Sequence, residues 1–162
     1  MPSILFICTA NQIRSPLAQV IFQRILAERG LTEWNIASAG TWADDGNPVM
    51  PAAQTVAAEM GLNLQHHRSR VVTRSILRRA DLILTMQANH KEALQVEFPD
   101  QAARIFLLTE LLPNTYPYDI PDPIGRSIDT YRSIAREIED ILRRAADEIL
   151  ARAQSNAAPP AA

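Results

Sequence analysis

Four short apolar runs, separated by segments of helical period, constrain this chain more than any other feature. Ser3 to Cys8 is a nearly continuous apolar run, and Asp81-Leu82-Ile83-Leu84-Thr85-Met86 is another. Trp34 to Ser38 and Ala103 to Leu107 are shorter ones. Such runs mark strands buried on both faces. Between them, Pro16 to Arg29 places Leu17, Val20, Ile21, Ile25 and Leu26 at helical spacing, and Gly30 follows as a stop. Pro51 to Met60 reads as a helix closed by Gly61, and Asn89 to Glu97 as one followed by Pro99. After a Pro-rich loop from Pro113 to Pro123, a long amphipathic helix is predicted from about Ile128 to Arg152. Strands alternating with helices predict an α/β fold whose parallel sheet is covered on both faces. At 162 residues the chain suits one domain, assigned to residues 1–153. The Ala-Pro tail, residues 154–162, is expected to be disordered.

Sheets of this kind hold ligands at the carboxyl ends of their strands, where loops lead into helices. The first such loop reads Cys8-Thr9-Ala10-Asn11-Gln12-Ile13-Arg14-Ser15-Pro16 and contains the one cysteine of the chain. Five residues between Cys8 and Arg14 can wrap into a cup of inward-pointing backbone N–H groups, a nest for a phosphate-sized oxyanion. The helix behind it adds N–H groups and the positive end of its dipole. Ser15 reads as the N-cap and Pro16 as the first-turn residue. Arg14 can hold two phosphate oxygens in a planar fork, which Lys cannot reproduce. The same electropositive cup favours a thiolate at Cys8, placed for in-line attack on phosphorus. The bland alternative is that a cysteine closing a buried strand packs as a small hydrophobe.

A leaving oxygen needs a proton, so a carboxylic acid is sought on a second loop at the same sheet end. In Tyr118-Asp119-Ile120-Pro121-Asp122-Pro123, Asp122 stands between two prolines that restrict its backbone. Asp-Pro also simply starts turns, and Asp119 is the nearest competitor.

The balance of charge narrows the partners. A formal net charge of −2 gives no global basic field for nucleic acid or an anionic membrane. No apolar run reaches membrane-spanning length and no leader is recognised. One cysteine cannot form an internal disulfide, which fits a reducing, cytoplasmic setting. Arg68, Arg70, Arg74, Arg78 and Arg79 form a local basic cluster, expected to be a solvated face rather than a partner site.

Taken together, the Cys8–Pro16 loop and the distant Asp122-Pro123 pair resemble the low-molecular-weight protein-tyrosine phosphatase family. Ser38-Ala39-Gly40-Thr41, His67-Arg68-Ser69-Arg70 and Asn89-His90-Lys91-Glu92-Ala93-Leu94 resemble further segments of it. The resemblance runs from about Ile4 to Leu150. It implies a four-stranded parallel sheet of the flavodoxin-like phosphatase type and a phosphocysteine intermediate, with no metal or cofactor. It implies Cys8 as nucleophile, Arg14 as phosphate and transition-state binder, and Asp122 as general acid and then base. Thr9, Ala10, Gln12 and Ile13 complete the phosphate loop. Asn11 would hold that loop in shape, Ser15 would support the thiolate, and Ser38 and His67 would form a buried network behind it. A phosphorylated protein is the implied substrate, and inorganic phosphate the product or inhibitor.

Three departures bear on this. Ala10 stands where the family commonly has glycine, and a positive φ there would strain the loop. Ile13 replaces a frequent second cysteine, which removes reversible disulfide protection of Cys8. Ile124-Gly125 replaces an aromatic pair, leaving Trp42 as a second wall of the crevice or as a buried structural residue. Gln12 matches neither the apolar residue usual in tyrosine phosphatases nor the threonine of arginine-phosphate phosphatases. Phosphoarginine hydrolysis therefore stands as the near alternative. Arsenate reduction is disfavoured by the lack of relay thiols. A non-catalytic oxyanion-binding module is the remaining reading.

Overall fold

The computed structural model describes residues 1–157. Four parallel strands, β1 (Ser3–Cys8), β2 (Asn35–Gly40), β3 (Leu82–Thr85) and β4 (Ile105–Leu107), lie in the order β2-β1-β3-β4. Every residue of β1 and β3 is buried, as their unbroken apolar runs require. Five helices accompany them: α1 (Arg14–Glu28), α2 (Pro51–Glu59), α3 (Arg74–Arg78), α4 (Ala88–Glu97) and α5 (Ile128–Ala157). Short 3-10 turns at Pro99–Arg104 and Leu108–Leu111 flank β4.

The two-residue period of β1 divides the core. Ile4, Phe6 and Cys8 face a layer built on α1, α2 and α5, where Phe6 meets Phe22 edge-on with ring centroids 5.9 Å apart. Leu5 and Ile7 face the opposite layer, with Leu77 of α3 and Leu94 of α4. The α1 stop works as its sequence suggests. Gly30 takes φ 71°, and the N–H groups of Gly30 and Leu31 return to the carbonyls of Ala27 and Leu26.

Two details depart from expectation. Helix α5 continues to Ala157, over the first part of the segment expected to be a disordered tail. Its amphipathic face persists, with Ala153 still fully buried. The rest of that segment, residues 158–162, lies outside the described residues. Second, α1 begins at Arg14 with Ile13 in the cap position and no side-chain cap. Ser15 is therefore not the N-cap, because its hydroxyl is engaged by the cysteine.

Candidate active site

The loop from Thr9 to Ile13 leaves β1 at its carboxyl end and curls beneath the start of α1. Asn11 is its keystone. It is fully buried, adopts φ 58°, and uses every polar group of its side chain. Its Oδ1 accepts from the Arg70 backbone N–H at 3.0 Å. A backbone N–H can only donate, so the orientation of the amide is fixed. Its Nδ2 then donates to Ser15 Oγ at 2.9 Å and to Ser38 Oγ at 3.0 Å. Ser38 passes its own proton to Gln19 Oε1 at 2.7 Å. Ser15 Oγ, which accepts from Asn11, lies 2.9 Å from Cys8 Sγ, a contact in which the hydroxyl donates once the sulfur is a thiolate. The alternative acceptor, the Ala39 carbonyl, is farther off at 3.4 Å. A chain of bonds anchored on the Arg70 N–H thus ends at the sulfur, where a thiolate accepts the Ser15 O–H.

Ala10 does not take a positive φ; the left-handed position of the loop is Asn11, a residue that tolerates it. The strain that alanine could have introduced is absent. Among the described residues, no protein acceptor is found for the backbone N–H groups of Ala10, Gln12, Ile13, Arg14 and Ser15. Five such donors, in the loop that follows the buried thiol and in the first turn of α1, are available to an anion.

Close approach beneath the loop rests on Gly40. A Cβ there would overlap the Thr9 carbonyl oxygen and crowd Ala43 Cβ at 2.9 Å. That space is taken because Thr41 N–H and Trp42 N–H donate to the Cys8 and Thr9 carbonyls, each at 2.9 Å. His67, only partly buried, has its Nε2 3.0 Å from the Asn11 carbonyl. The carbonyl only accepts, so Nε2 carries the proton. Burial, with Arg70 and Arg68 nearby, holds His67 below the ordinary histidine pKa. The adjacent His66 is exposed and takes no part.

Arg14 is 2% exposed and ties the two loops together. Its Nη1 donates to the Ile120 carbonyl at 2.7 Å, its Nη2 to Thr9 Oγ1 at 3.4 Å, and Nη2 lies 3.6 Å from Asp122 Oδ2. Ile120 in turn donates its N–H to the Met86 carbonyl at the end of β3, 2.9 Å away. The strand thereby fixes the height of the acid loop over the cup. Asp122 Oδ1 accepts from Ile124 N–H at 3.1 Å, so the turn expected of Asp-Pro is present as well as the arginine contact. Asp119 is spent elsewhere, receiving the first N–H of α4 from Ala88 at 2.8 Å. Cys8, Gln12, Arg14, Met50, Asp122 and Ile124 enclose about 20 Å³, close to the room one water needs (about 10–15 Å³).

Gln12 lines the cup while its Nε2 donates to the Pro48 carbonyl at 3.0 Å. Ile13 is buried beside the loop. Trp42 is 86% exposed, which excludes the structural burial considered for it.

Sequence reasoning did not assign His90, Gln19, Gly40, Arg70 or Ile120 a place in this site. His90 is the most consequential. It is buried, its Nε2 lies 2.9 Å from Thr9 Oγ1, and its Nδ1 has no partner among the described residues. Burial first, and then the Arg14 charge, lower its pKa from 6.5 to about 4, against the opposing pull of Asp119 and Asp122. Between those values the unfolded chain binds a proton that the folded chain refuses. Its contribution to stability is therefore complete above pH 6.5 and lost as the pH falls toward 4. Denaturant unfolding from pH 6.5 to 4 should cost the native protein on the order of 2 kcal/mol more than it costs His90→Gln. Equal losses in the two proteins would show that His90 is not held neutral.

A parallel four-stranded sheet bearing a Cys-x5-Arg loop and a facing Asp-Pro loop defines a phosphatase-type α/β domain. Residues 3–155 match the family model described as low molecular weight phosphotyrosine protein phosphatase, and the chain belongs to that family of phosphoric monoester hydrolases. It is 34% identical over 146 residues to the protein-arginine-phosphatase of Bacillus subtilis (strain 168), covering 90% of this chain and 95% of that one. The crystal structure of a YwlE mutant from Bacillus subtilis matches with a TM-score of 0.86 at 33% identity, covering 93% and 99% of the two chains. The tyrosine phosphatase Wzb from Escherichia coli K30, in complex with sulphate, matches with a TM-score of 0.81 at 31% identity, covering 92% and 99%. The expected family and fold are thus borne out. Among the described residues, no helix is long and apolar enough to cross a membrane.

Proposed function

We propose that the protein hydrolyses phosphate monoesters on proteins, phosphotyrosine foremost, through a phosphocysteine intermediate at Cys8. The observation that carries this reading is the hydrogen-bond chain from the Arg70 N–H through Asn11 and Ser15 to the sulfur, beside loop N–H groups with no protein acceptor among the described residues. The N–H groups and Arg14 would hold the three equatorial oxygens of the transferring phosphoryl group. The Cys8 thiolate forms the S–P bond as the P–O bond to the leaving group breaks. Asp122 gives that oxygen its proton. The Ser15 hydroxyl stabilises the sulfur when it departs. Asp122, now a carboxylate, takes a proton from the water that attacks phosphorus and breaks the S–P bond. Inorganic phosphate is released and also occupies the cup as an inhibitor. A lone thiol with no internal redox partner suits the reducing cytoplasm.

Exposed Ile124 lines the cup with Cys8 and Asp122 and supplies an apolar edge suited to an aryl ester; exposed Trp42, whose N–H binds the Thr9 carbonyl, would be a second wall. The phosphoarginine reading rests on the similarity to the Bacillus subtilis arginine phosphatase. Comparing kcat/KM for a phosphotyrosine peptide and a phosphoarginine peptide of matched sequence separates the two. At least tenfold preference for phosphotyrosine is expected, and a reversed ratio assigns the protein to phosphoarginine.

A further inference from the structure

The helical layer over one sheet face is incomplete. Crossing from β2 to β3 on that side, the chain forms only the five-residue α3 beside edge strand β2 and the start of β1. A cavity of about 270 Å³ is left there, floored by Leu5, Ala37, Ile76 and Ala80. Arg70 and Arg79 line the same cavity. Neither makes an ion pair among the described residues. Arg70 is positioned by donation from Nε to the Ser38 carbonyl at 3.0 Å, which leaves its terminal nitrogens without a protein partner. The nearest carboxylate along the chain, Asp81, accepts from the Ser3 N–H at 2.9 Å and makes no ion pair among the described residues, and the Ser3 hydroxyl donates to the Arg79 carbonyl at 2.6 Å.

We propose that this cavity between α3 and the β1–β2 edge is a second anion site, in which Arg70 and Arg79 clasp the phosphate group of a small organic phosphate. Two uncompensated guanidiniums sharing a half-enclosed space repel one another, and a dianion between them relieves that cost. Arginine presents the paired donors that a phosphate needs. The volume exceeds that of a bare ion, for a single water requires only about 10–15 Å³ by the same measure. The apolar floor accordingly takes the organic body of the ligand. Burial, together with the Arg79 charge, holds Arg70 below the usual guanidinium pKa, which agrees with two cations left unneutralised. The basic cluster expected to be only a solvated face therefore divides. Arg74 is paired with Asp100, whereas Arg70 and Arg79 turn to the cavity.

The site lies away from the cysteine cup and is linked to it. The Arg70 N–H holds Asn11 Oδ1, and its side chain holds the Ser38 carbonyl.

Titrating the ¹⁵N-labelled protein with phenylphosphonate, which cannot be hydrolysed, tests the assignment. Two sets of amide shifts with separate midpoints are expected, one at the Cys8–Ser15 loop and one at Ser3–Leu5, Ala37 and Ile76–Ala80. Arg79 is exposed and outside the catalytic machinery, so Arg79→Gln should fold normally. It should weaken the second midpoint about tenfold or more and leave the loop midpoint within about twofold. Inorganic phosphate should bind the cavity more weakly than phenylphosphonate. Cavity amides that do not shift, or that keep their native midpoint in Arg79→Gln, would overturn the site. Equal cavity affinity for the two probes would overturn the organic class of its ligand. A silent loop with a responsive cavity would count against the catalytic reading alone.

Discussion

Cys8→Ser is expected to lower kcat for an aryl phosphate by at least about 10⁴-fold, comparable to loss of the nucleophile in other covalent hydrolases. The reason is specific to the cup. A serine oxygen at this position would need a base to take its proton, and none is there. Ser15 is a neutral hydroxyl that already accepts from Asn11 Nδ2, and it is far too weak a base to take a serine proton. In the proposed mechanism Asp122 serves the leaving group, and its Oδ2 lies 3.6 Å from Arg14 Nη2. Phosphate binding should survive, since the N–H donors and Arg14 are untouched. Steady-state kinetics together with phosphate titration of the variant separate the two effects. Rapid acid quench of the native enzyme should trap one phosphoryl group on Cys8. Full turnover by Cys8→Ser would sink the mechanism, and tight phosphate binding by the native protein with no trapped intermediate would favour a binding module.

The second large effect belongs to Asp122. Asp122→Asn should slow hydrolysis of a phenyl ester by about 10²- to 10³-fold, the usual worth of a general acid. An ester with a nitrophenolate leaving group, which departs without a proton, should lose far less in the phosphorylation step. The amide keeps the size of the side chain and its acceptor oxygen for the Ile124 N–H, so the turn itself is retained. Asp119→Asn serves as the contrast. It should disturb the start of α4, where Ala88 N–H is capped, with no dependence on the leaving group. Equal losses for both esters in Asp122→Asn would remove proton donation from its role.

Much of this was readable in the chain. Buried parallel strands advertise themselves as unbroken apolar runs, and β1 to β4 fall where those runs lie. The Cys8–Arg14 spacing sufficed to place a loop beneath a helix start, and the asparagine within it sits in the left-handed region. Elements without a periodic signal were missed. Helix α3 is too short to show a helical repeat, and the 3-10 turns beside β4 carry none. Ser15 was misread because local capping rules weigh only neighbouring N–H groups, whereas here a thiol seven residues earlier competes for the hydroxyl. Gly40, Arg70, His90 and Ile120 act through backbone contacts or burial created by strand order. The pairing of Cys8 with Gly40 across β1 and β2 exists only once the sheet has formed.

His67, Arg70 and Ile120 stand far from Cys8 along the chain yet meet around its loop. During synthesis the thiol is made near the start and the Asp122 loop more than a hundred residues later. At about 5–20 residues per second, on the order of ten seconds separates them. Through that interval the chain carries the sulfur without the Arg14–Ile120 bond and the Asp122 contact that complete its site. Phosphate affinity should thus appear abruptly in ribosome-bound chains of increasing length, dating the moment at which β3 and the loop beyond it have docked.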